Sequence, residues 1–374
     1  MIEPGPTGID VDVSVLVNTY RKPRHLALVL ESIALQQPAG QSLEVVVADD
    51  GSDDGTAELV DRLAATLPLS VRFTSQPHDG FRVARLRNAA ARLARGRYLL
   101  FLDGDCMLPP GHVAAHVARR RHGTALIGYC ARLSRQASDL LVPENLPLAD
   151  LALLVPEVER RSLARRHRKA WWHNAARHPT KPRLAGGDFG IWREDFVRVN
   201  GFDERFVGWG QEDDDLGLRL RAAGVRLESI LDATCSLHIW HPTDPTAARR
   251  WRDGPNVAYF GRRGRLTACR HGIEERPPRT VTWGLPGDVH ATEGGRAVAR
   301  LLADCPLVAP RQPCEIDIVC RPGTATFSRP ADCRLLLVEN AADVEPAIRR
   351  RADRVACVAG GDDPALHAIL AEVG

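Results

Sequence analysis

The chain has no CxxC pair among its nine cysteines, no apolar run approaching the roughly 20 residues that span a bilayer, and no basic-then-apolar segment at its start. Scattered thiols in odd number fit reduced cysteines better than a disulfide framework, and a structural zinc site is not expected. Without a spanning run or leader pattern, the expectation is a cytoplasmic protein with no transmembrane segment. A strong excess of either charge is also missing: the formal net charge is +3, and no nucleic-acid recognition motif occurs, so a nucleic-acid partner is not expected. Internal repeats and low-complexity tracts are absent too.

What is present is alternation. Apolar segments at 11–17, 44–48, 71–74 and 98–102 read as strands, and helical spacing runs from Leu26 to about Gln36, from Thr56 to Leu67 and through Ala89, Ala90, Leu93 and Ala94 to Gly96. Alternating strands and helices predict a mostly parallel, Rossmann-like α/β sheet with helices on both faces. In such sheets ligands bind at the carboxyl ends of the strands. Three polar clusters stand at those ends: Thr19-Tyr20, Asp49-Asp50 and Asp103-Gly-Asp105.

Residues 130–183 are less regular, with a basic run from Arg160 to Lys169 followed by Trp171-Trp172-His173, and read as a surface excursion or lid. The two tryptophans suit either core or interface packing or a platform for an acceptor sugar. The proline-containing stretch 274–279 reads as a linker, which gives a large domain over 1–275 and a small α/β domain over 280–374. In the latter, strands are expected at 315–319, 333–338 and 354–358, with helices near 294–302, 344–351 and 364–372.

The run Gly208-Trp-Gly-Gln-Glu-Asp-Asp-Asp215 sets four carboxylates side by side. Such neighbours repel, so they must meet cations, a metal or a polar ligand, or sit solvated in the first turn of a helix. Asp103-Gly-Asp105 follows a buried strand directly, where hard oxygen ligands can hold Mg²⁺ or Mn²⁺ on a diphosphate, although such a tripeptide is in most proteins only a turn.

Taken in order, Asn18-Thr-Tyr, Ala48-Asp-Asp-Gly-Ser52, Gly80-Phe-Arg-Val-Ala-Arg-Leu-Arg-Asn88, Phe101-Leu-Asp-Gly-Asp105, Gly186-Gly-Asp-Phe-Gly, Asn200-Gly-Phe-Asp-Glu204, Gly208-Trp-Gly-Gln-Glu-Asp-Asp-Asp215 and His238-Ile-Trp-His-Pro242 resemble a family 2 glycosyltransferase of the GT-A fold. The second half is similar to the galactosyltransferase and chondroitin-polymerase type. The resemblance covers about residues 10–245, and Gln211 departs from it by replacing the glycine usual before the Glu-Asp pair.

The resemblance implies an inverting transfer, dependent on Mn²⁺ or Mg²⁺, from a nucleotide-diphosphate sugar such as a UDP-sugar to a hydroxyl of a glycan, glycolipid or small glycoside. Thr19, Tyr20 and Asp50, with Asp49, would bind the nucleoside, and Arg82, Arg87 and Asn88 would approach the diphosphate. Asp105 and His238 would ligate the metal, and Asp103 would hold the metal or the ribose. Whether His238 or His241 binds metal stays open, with motif matching favouring His238. Gly186, Gly187 and Asp188 would line the donor sugar, and Trp209 also belongs to the donor site. Asp213 would be the base, with Glu212 on substrate hydroxyls. A sugar nucleotidyltransferase is the rival enzyme reading, opposed by the lack of a glycine-rich loop after the first strand. The other rival is a non-catalytic glycan- or nucleotide-binding protein. Peripheral membrane contact and a homodimer stay open, and the small domain offers no catalytic set.

Overall fold

The computed structural model describes residues 11–36, 40–148, 150–242, 253–262 and 267–276, and beyond them four strands and a few single positions between residues 283 and 357. The chain divides into two compact units, Met1–Val257 and Ala258–Gly374.

The first unit opens with β1 (Val13–Thr19), α1 (Pro23–Ala34), β2 (Leu43–Asp49), α2 (Thr56–Thr66), β3 (Ser70–Ser75), α3 (Val83–Leu93) and β4 (Tyr98–Asp103). It continues through β5 (Cys106–Met107), α4 (His112–Arg119), β6 (Thr124–Ile127), β7 (Ala131–Arg132), α5 (Arg135–Asp139), α6 (Glu157–Ala175), β8 (Asp188–Trp192), α7 (Arg193–Arg198), α8 (Glu212–Ala222), β9 (Arg226–Ser229) and β10 (Leu237–His238). Seven strands form one sheet in the order β3-β2-β1-β4-β8-β6-β9, in which β8 alone runs against its neighbours. The mostly parallel α/β sheet expected from the alternation is thus present.

Its strands read as unbroken apolar runs because both faces are covered. Side chains alternate across a strand. Val13, Val15 and Val17 of β1, with Val45, Val47, Leu100 and Leu102, therefore pack on one face with Leu26, Val29, Leu30 and Ile33 of α1. On the other, Phe101 stacks on Phe189 at 4.5 Å between ring centroids and meets Phe196 and Phe202. Truncating any of these buried side chains to alanine is expected to destabilise by about 2–5 kcal/mol.

A second sheet of three short strands, β5-β10-β7, joins segments far apart in sequence and pairs His238 with Cys106. The 130–183 region is more regular than its sequence suggested. It contains β7, α5 and the 19-residue α6, whose His167 Nδ1 lies 3.2 Å from Ser229 Oγ and whose Asn174 amide donates to Leu227 O at 2.9 Å. Trp171 and Trp172 are not core residues: they stand 59% and 65% exposed, edge to face with each other.

In the second unit β11 (Trp283–Gly284), β12 (Cys314–Cys320), β13 (Ala331–Val338) and β14 (Arg354–Cys357) form a parallel sheet in that order, with Ile316, Ile318, Leu335 and Leu336 buried. The three strands expected there are present. Helices expected at 344–351 and 364–372, and most of that at 294–302, lie outside the described residues. No helix among the described residues is long and apolar enough to cross a membrane.

Candidate active site

Parallel register sets the site. Asn18 pairs with Asp103 and Thr19 with Asp49, so the apolar runs of β1, β2 and β4 end side by side and their polar successors emerge along one edge. The Gly104 N–H then donates to Asn18 O at 2.8 Å, and the Asp50 N–H to Thr19 O at 3.0 Å.

At the β1–β2 end, Tyr20 and His78 stack nearly parallel at 4.3 Å. Asp50 accepts from the Gln76 amide at 2.5 Å and faces His78 Nδ1 at 3.2 Å. Thr19 Oγ1 is buried with no hydrogen-bond partner. Asp49, in contrast, braces its own loop: its carboxylate accepts from the Ser52 N–H and from the hydroxyls of Ser52 and Ser75.

The centre of the site is Arg87, 5% exposed on α3. Its guanidinium donates to Asp213 Oδ1 at 2.8 Å and to Asp103 Oδ1 at 3.1 Å, lies 3.6 Å from Glu212 Oε1, and covers the Phe202 ring. Asp213 also accepts from the Gly186 N–H at 2.8 Å. A side chain at Gly186 would collide with Asp213 and Arg87, and one at Gly187 with Asp103, so the two glycines let the backbone close over the carboxylates. Asn18 braces the other side, its amide N donating to Asp103 Oδ1 at 3.1 Å.

The crowded acids of α8 are divided among three arginines, because successive helical residues turn by about 100°. Glu212 and Asp213 face Arg87, Asp214 pairs with Arg183 at 3.1 Å, and Asp215 with the buried Arg219 at 2.9 Å. All four sit in the first turn, where the helix dipole favours them. Gln211 caps that helix at φ 78°, a left-handed conformation that glycine would adopt without strain.

Beside this node lies a second cluster. Asp105 Oδ2 takes the Lys22 ammonium at 2.7 Å and lies 3.2 Å from His241 Nε2, and Asp105 Oδ1 lies 3.7 Å from His238 Nε2. Pairing of β10 with β5, extended by an Ile239 N–H bond to Asp105 O, delivers both histidines. One ligand atom each of Asp105, His238 and His241 lies within 4.8 Å of the others, so both of the histidines left open by the sequence stand beside Asp105. Asp103 is not in this group; as the end of β4 it turns to Arg87 and Asn18.

The two groups of acids are driven apart electrostatically. Burial opposes ionisation of Asp105, but the His241 hydrogen bond and the Lys22 ammonium hold its carboxyl well below the ordinary value. Burial, then the neighbouring Asp213, pushes Glu212 up to about 8, and burial likewise raises Asp213. Burial opposes charge on Arg87 as well, yet Asp213, Asp103 and Glu212 keep it protonated. A permanently anionic carboxylate next to carboxyls with raised proton affinity is an arrangement that separates cation binding from proton transfer.

Three residues expected to meet the donor have other partners in the structure. Asn88 is fully buried, its amide tied to the backbone of Phe202 and to Glu204, so it braces the scaffold. Arg82 pairs with Asp79 next to it. Asp188, first in β8, is buried and directed to His112 and His116 of α4. Trp209 is 39% exposed, in a loop tied to Phe81 by the Gly208 N–H at 2.7 Å. Lys22, Gln76 and His78 were not singled out from the sequence; their signal is position just after a strand end, whereas Asn18, named only as part of the Asn18-Thr-Tyr motif, lies within β1.

Residues 14–176 match the family described as Glycosyl transferase family 2, and residues 166–241 match the N-terminal domain of galactosyltransferase. The validoxylamine A glucosyltransferase of Streptomyces hygroscopicus subsp. limoneus is 34% identical over 59% of this chain and 50% of its own length. The chondroitin synthase of Escherichia coli is 26% identical over 58% of this chain and 33% of its own. The chain thus spans half or less of the length of these curated relatives. The mannosyltransferase PcManGT from Pyrobaculum calidifontis, solved with GDP-Man and Mn²⁺, aligns with a TM-score of 0.44 at 23% identity, over 64% of this chain and 59% of that one.

Proposed function

We propose that the chain, whose residues 14–176 match Glycosyl transferase family 2 and whose residues 166–241 match the N-terminal domain of galactosyltransferase, transfers a sugar, with inversion, from a nucleotide-diphosphate donor of the UDP-sugar type to a hydroxyl of a glycan, glycolipid or small glycoside. One relative is named for glucosyl transfer to validoxylamine A and another for chondroitin synthesis, so acceptors differ widely among relatives.

The observation that carries this reading is Arg87, which holds Asp103 from β4 and Asp213 from 126 residues farther along the chain, next to the Asp105 cluster. Asp50 and the Tyr20–His78 stack are suited to the nucleoside, the carboxylate retaining lone pairs for a base N–H. Asp213, with raised proton affinity, takes the proton of the acceptor hydroxyl as that oxygen attacks the anomeric carbon and the nucleoside diphosphate departs. Arg87 and the Gly186 N–H fix the orientation of Asp213, and Glu212 binds a substrate hydroxyl. Lys22 stands where it can swing from Asp105 to a phosphate.

One carboxylate and two imidazoles fit Mn²⁺ better than Mg²⁺, which prefers oxygen ligands. Held by Asp105, His238 and His241, such an ion would neutralise charge on the leaving diphosphate.

The test is hydrolysis and transfer across a panel of UDP-, GDP- and dTDP-sugars, with Mn²⁺ or EDTA, for wild type, Asp105→Ala and Asp213→Asn. Metal-dependent turnover of one donor, lowered in Asp213→Asn by roughly 10²–10⁴ with donor binding retained, is expected. Turnover unaffected by Asp213→Asn would remove the assigned base.

A further inference from the structure

Behind β8, the strand that follows Gly186 and Gly187, three enclosed side chains meet that the transfer reaction does not use. His112 and His116 lie one turn apart on α4 and so share a face. Both are 0% exposed, and Asp188 opposite them is 1% exposed. His112 Nε2, His116 Nε2 and Asp188 Oδ1 are all buried without a hydrogen-bond partner, and they are aimed at one another. From this geometry we infer a second metal site: His112, His116 and Asp188 bind a divalent transition ion of the Zn²⁺ type.

The separations suit a coordination shell. Asp188 Oδ1 lies 3.4 Å from His112 Nε2 and 3.9 Å from His116 Nε2. N–H···O bonds cluster at about 2.7–3.2 Å. Ligands bonded at roughly 2.0–2.1 Å to a tetrahedral ion stand about 3.3–3.4 Å from each other. The measured spacings therefore match, or slightly exceed, the edges of a tetrahedron that closes on the ion.

The surroundings fix the ligands as they do around known metal-bound imidazoles. Each ring has its far nitrogen near a hydroxyl: His112 Nδ1 is 2.8 Å from Thr234 Oγ1, and His116 Nδ1 is 3.4 Å from Tyr98 Oη. Asp188 Oδ2 accepts from the Ser236 N–H at 3.1 Å. A Cβ at Gly128 would strike the Asp188 carboxylate, and one at Gly190 would strike Tyr98 and His116, so two glycines keep the space open. The fourth position falls to a water or to the hydroxyl of Ser236, itself buried and unpartnered.

Two imidazoles with one carboxylate select Zn²⁺ over Mg²⁺ or Ca²⁺. The sequence argued against structural zinc from cysteine spacing, and this site contains no cysteine. Its role is to tie α4 to the start of β8, and so to hold Gly186 and Gly187 against Asp213 and Asp103.

The test uses the full chain with Asp105→Ala, His238→Ala and His241→Ala, which removes the front cluster and makes the result independent of the transferase reading. After stripping with chelator, reloading with Zn²⁺ and gel filtration, a single equivalent of zinc is expected by atomic emission, and Co²⁺ in its place should give the intense visible bands of a tetrahedral ion. His112→Gln and His116→Gln in that background should each lose the metal while keeping the far-ultraviolet spectrum of the parent. If those variants do not fold, the parent decides: chelation should lower its Tm and Zn²⁺ restore it. A folded parent that retains neither ion and whose Tm ignores both treatments overturns the site, as does equal zinc in the glutamine variants.

Discussion

Replacing Arg87 with methionine tests the electrostatic account of the site most directly. The change keeps an apolar stem over Phe202 but leaves Asp103, Glu212 and Asp213 without the cation that all three face. Breaking a buried ion pair by removing one partner costs about 3–5 kcal/mol. For a unit of this size that corresponds to a fall in Tm of roughly 6–20 °C, at about 2–4 °C per kcal/mol. The loss should depend on pH with a definite sign. Glu212 and Asp213 already have raised proton affinity, and without Arg87 it rises further, so the folded variant binds protons that its unfolded chain releases. Stability then falls as pH rises, by up to about 1.4 kcal/mol per pH unit for each proton. The penalty of Arg87→Met should be larger at pH 8.5 than at pH 5.5. Urea unfolding followed by tryptophan fluorescence reads it, because six of the seven tryptophans precede Ala258. A penalty below about 1 kcal/mol, or one equal at both pH values, would refute the view that Arg87 neutralises these acids.

Other outcomes follow from the same geometry. Glu212→Gln should flatten the wild-type decline in stability between pH 6 and 8: a carboxyl raised from 4.5 to about 8 stabilises below its unfolded value, and that contribution is lost as pH rises through 8. An unchanged slope in thermal scans across that range would contradict the assignment. Gly186→Ala should abolish transfer while leaving the fold, because the new methyl group displaces Asp213 or Arg87; wild-type turnover in that variant would show the backbone not to be pressed against them. Asp105→Ala should weaken Mn²⁺ binding, measured by calorimetry in wild type and variant, at least 10-fold, an estimate set by loss of one ligand of three; unchanged affinity would remove Asp105 from the ligand set.

The region between 130 and 183 shows one limit of reading the sequence. Its long helix, α6, has almost no apolar stripe, since only Leu163 and Ala170 are buried, and its docking relies on polar contacts such as Asn174 to Leu227 O. Periodicity of hydrophobic residues cannot announce such a helix. Asp188 shows another. It belongs to a motif whose neighbours Gly186 and Gly187 do reach the site, but residues alternate across β8, and its carboxylate is carried to the histidines of α4.

The sequence by itself determined the alternation of strand and helix and the strand ends that carry acids, because apolar periodicity and turn chemistry act over a few residues. Tertiary structure alone decided which acids share Arg87, that both His238 and His241 face Asp105, that Asp49 and Asn88 serve the scaffold, and that His112 and His116 enclose Asp188. Those outcomes depend on the register of β1 with β4, on the pairing of β10 with β5, and on the antiparallel insertion of β8. Each joins segments tens to more than a hundred residues apart, a distance over which local pattern carries no direction for a side chain.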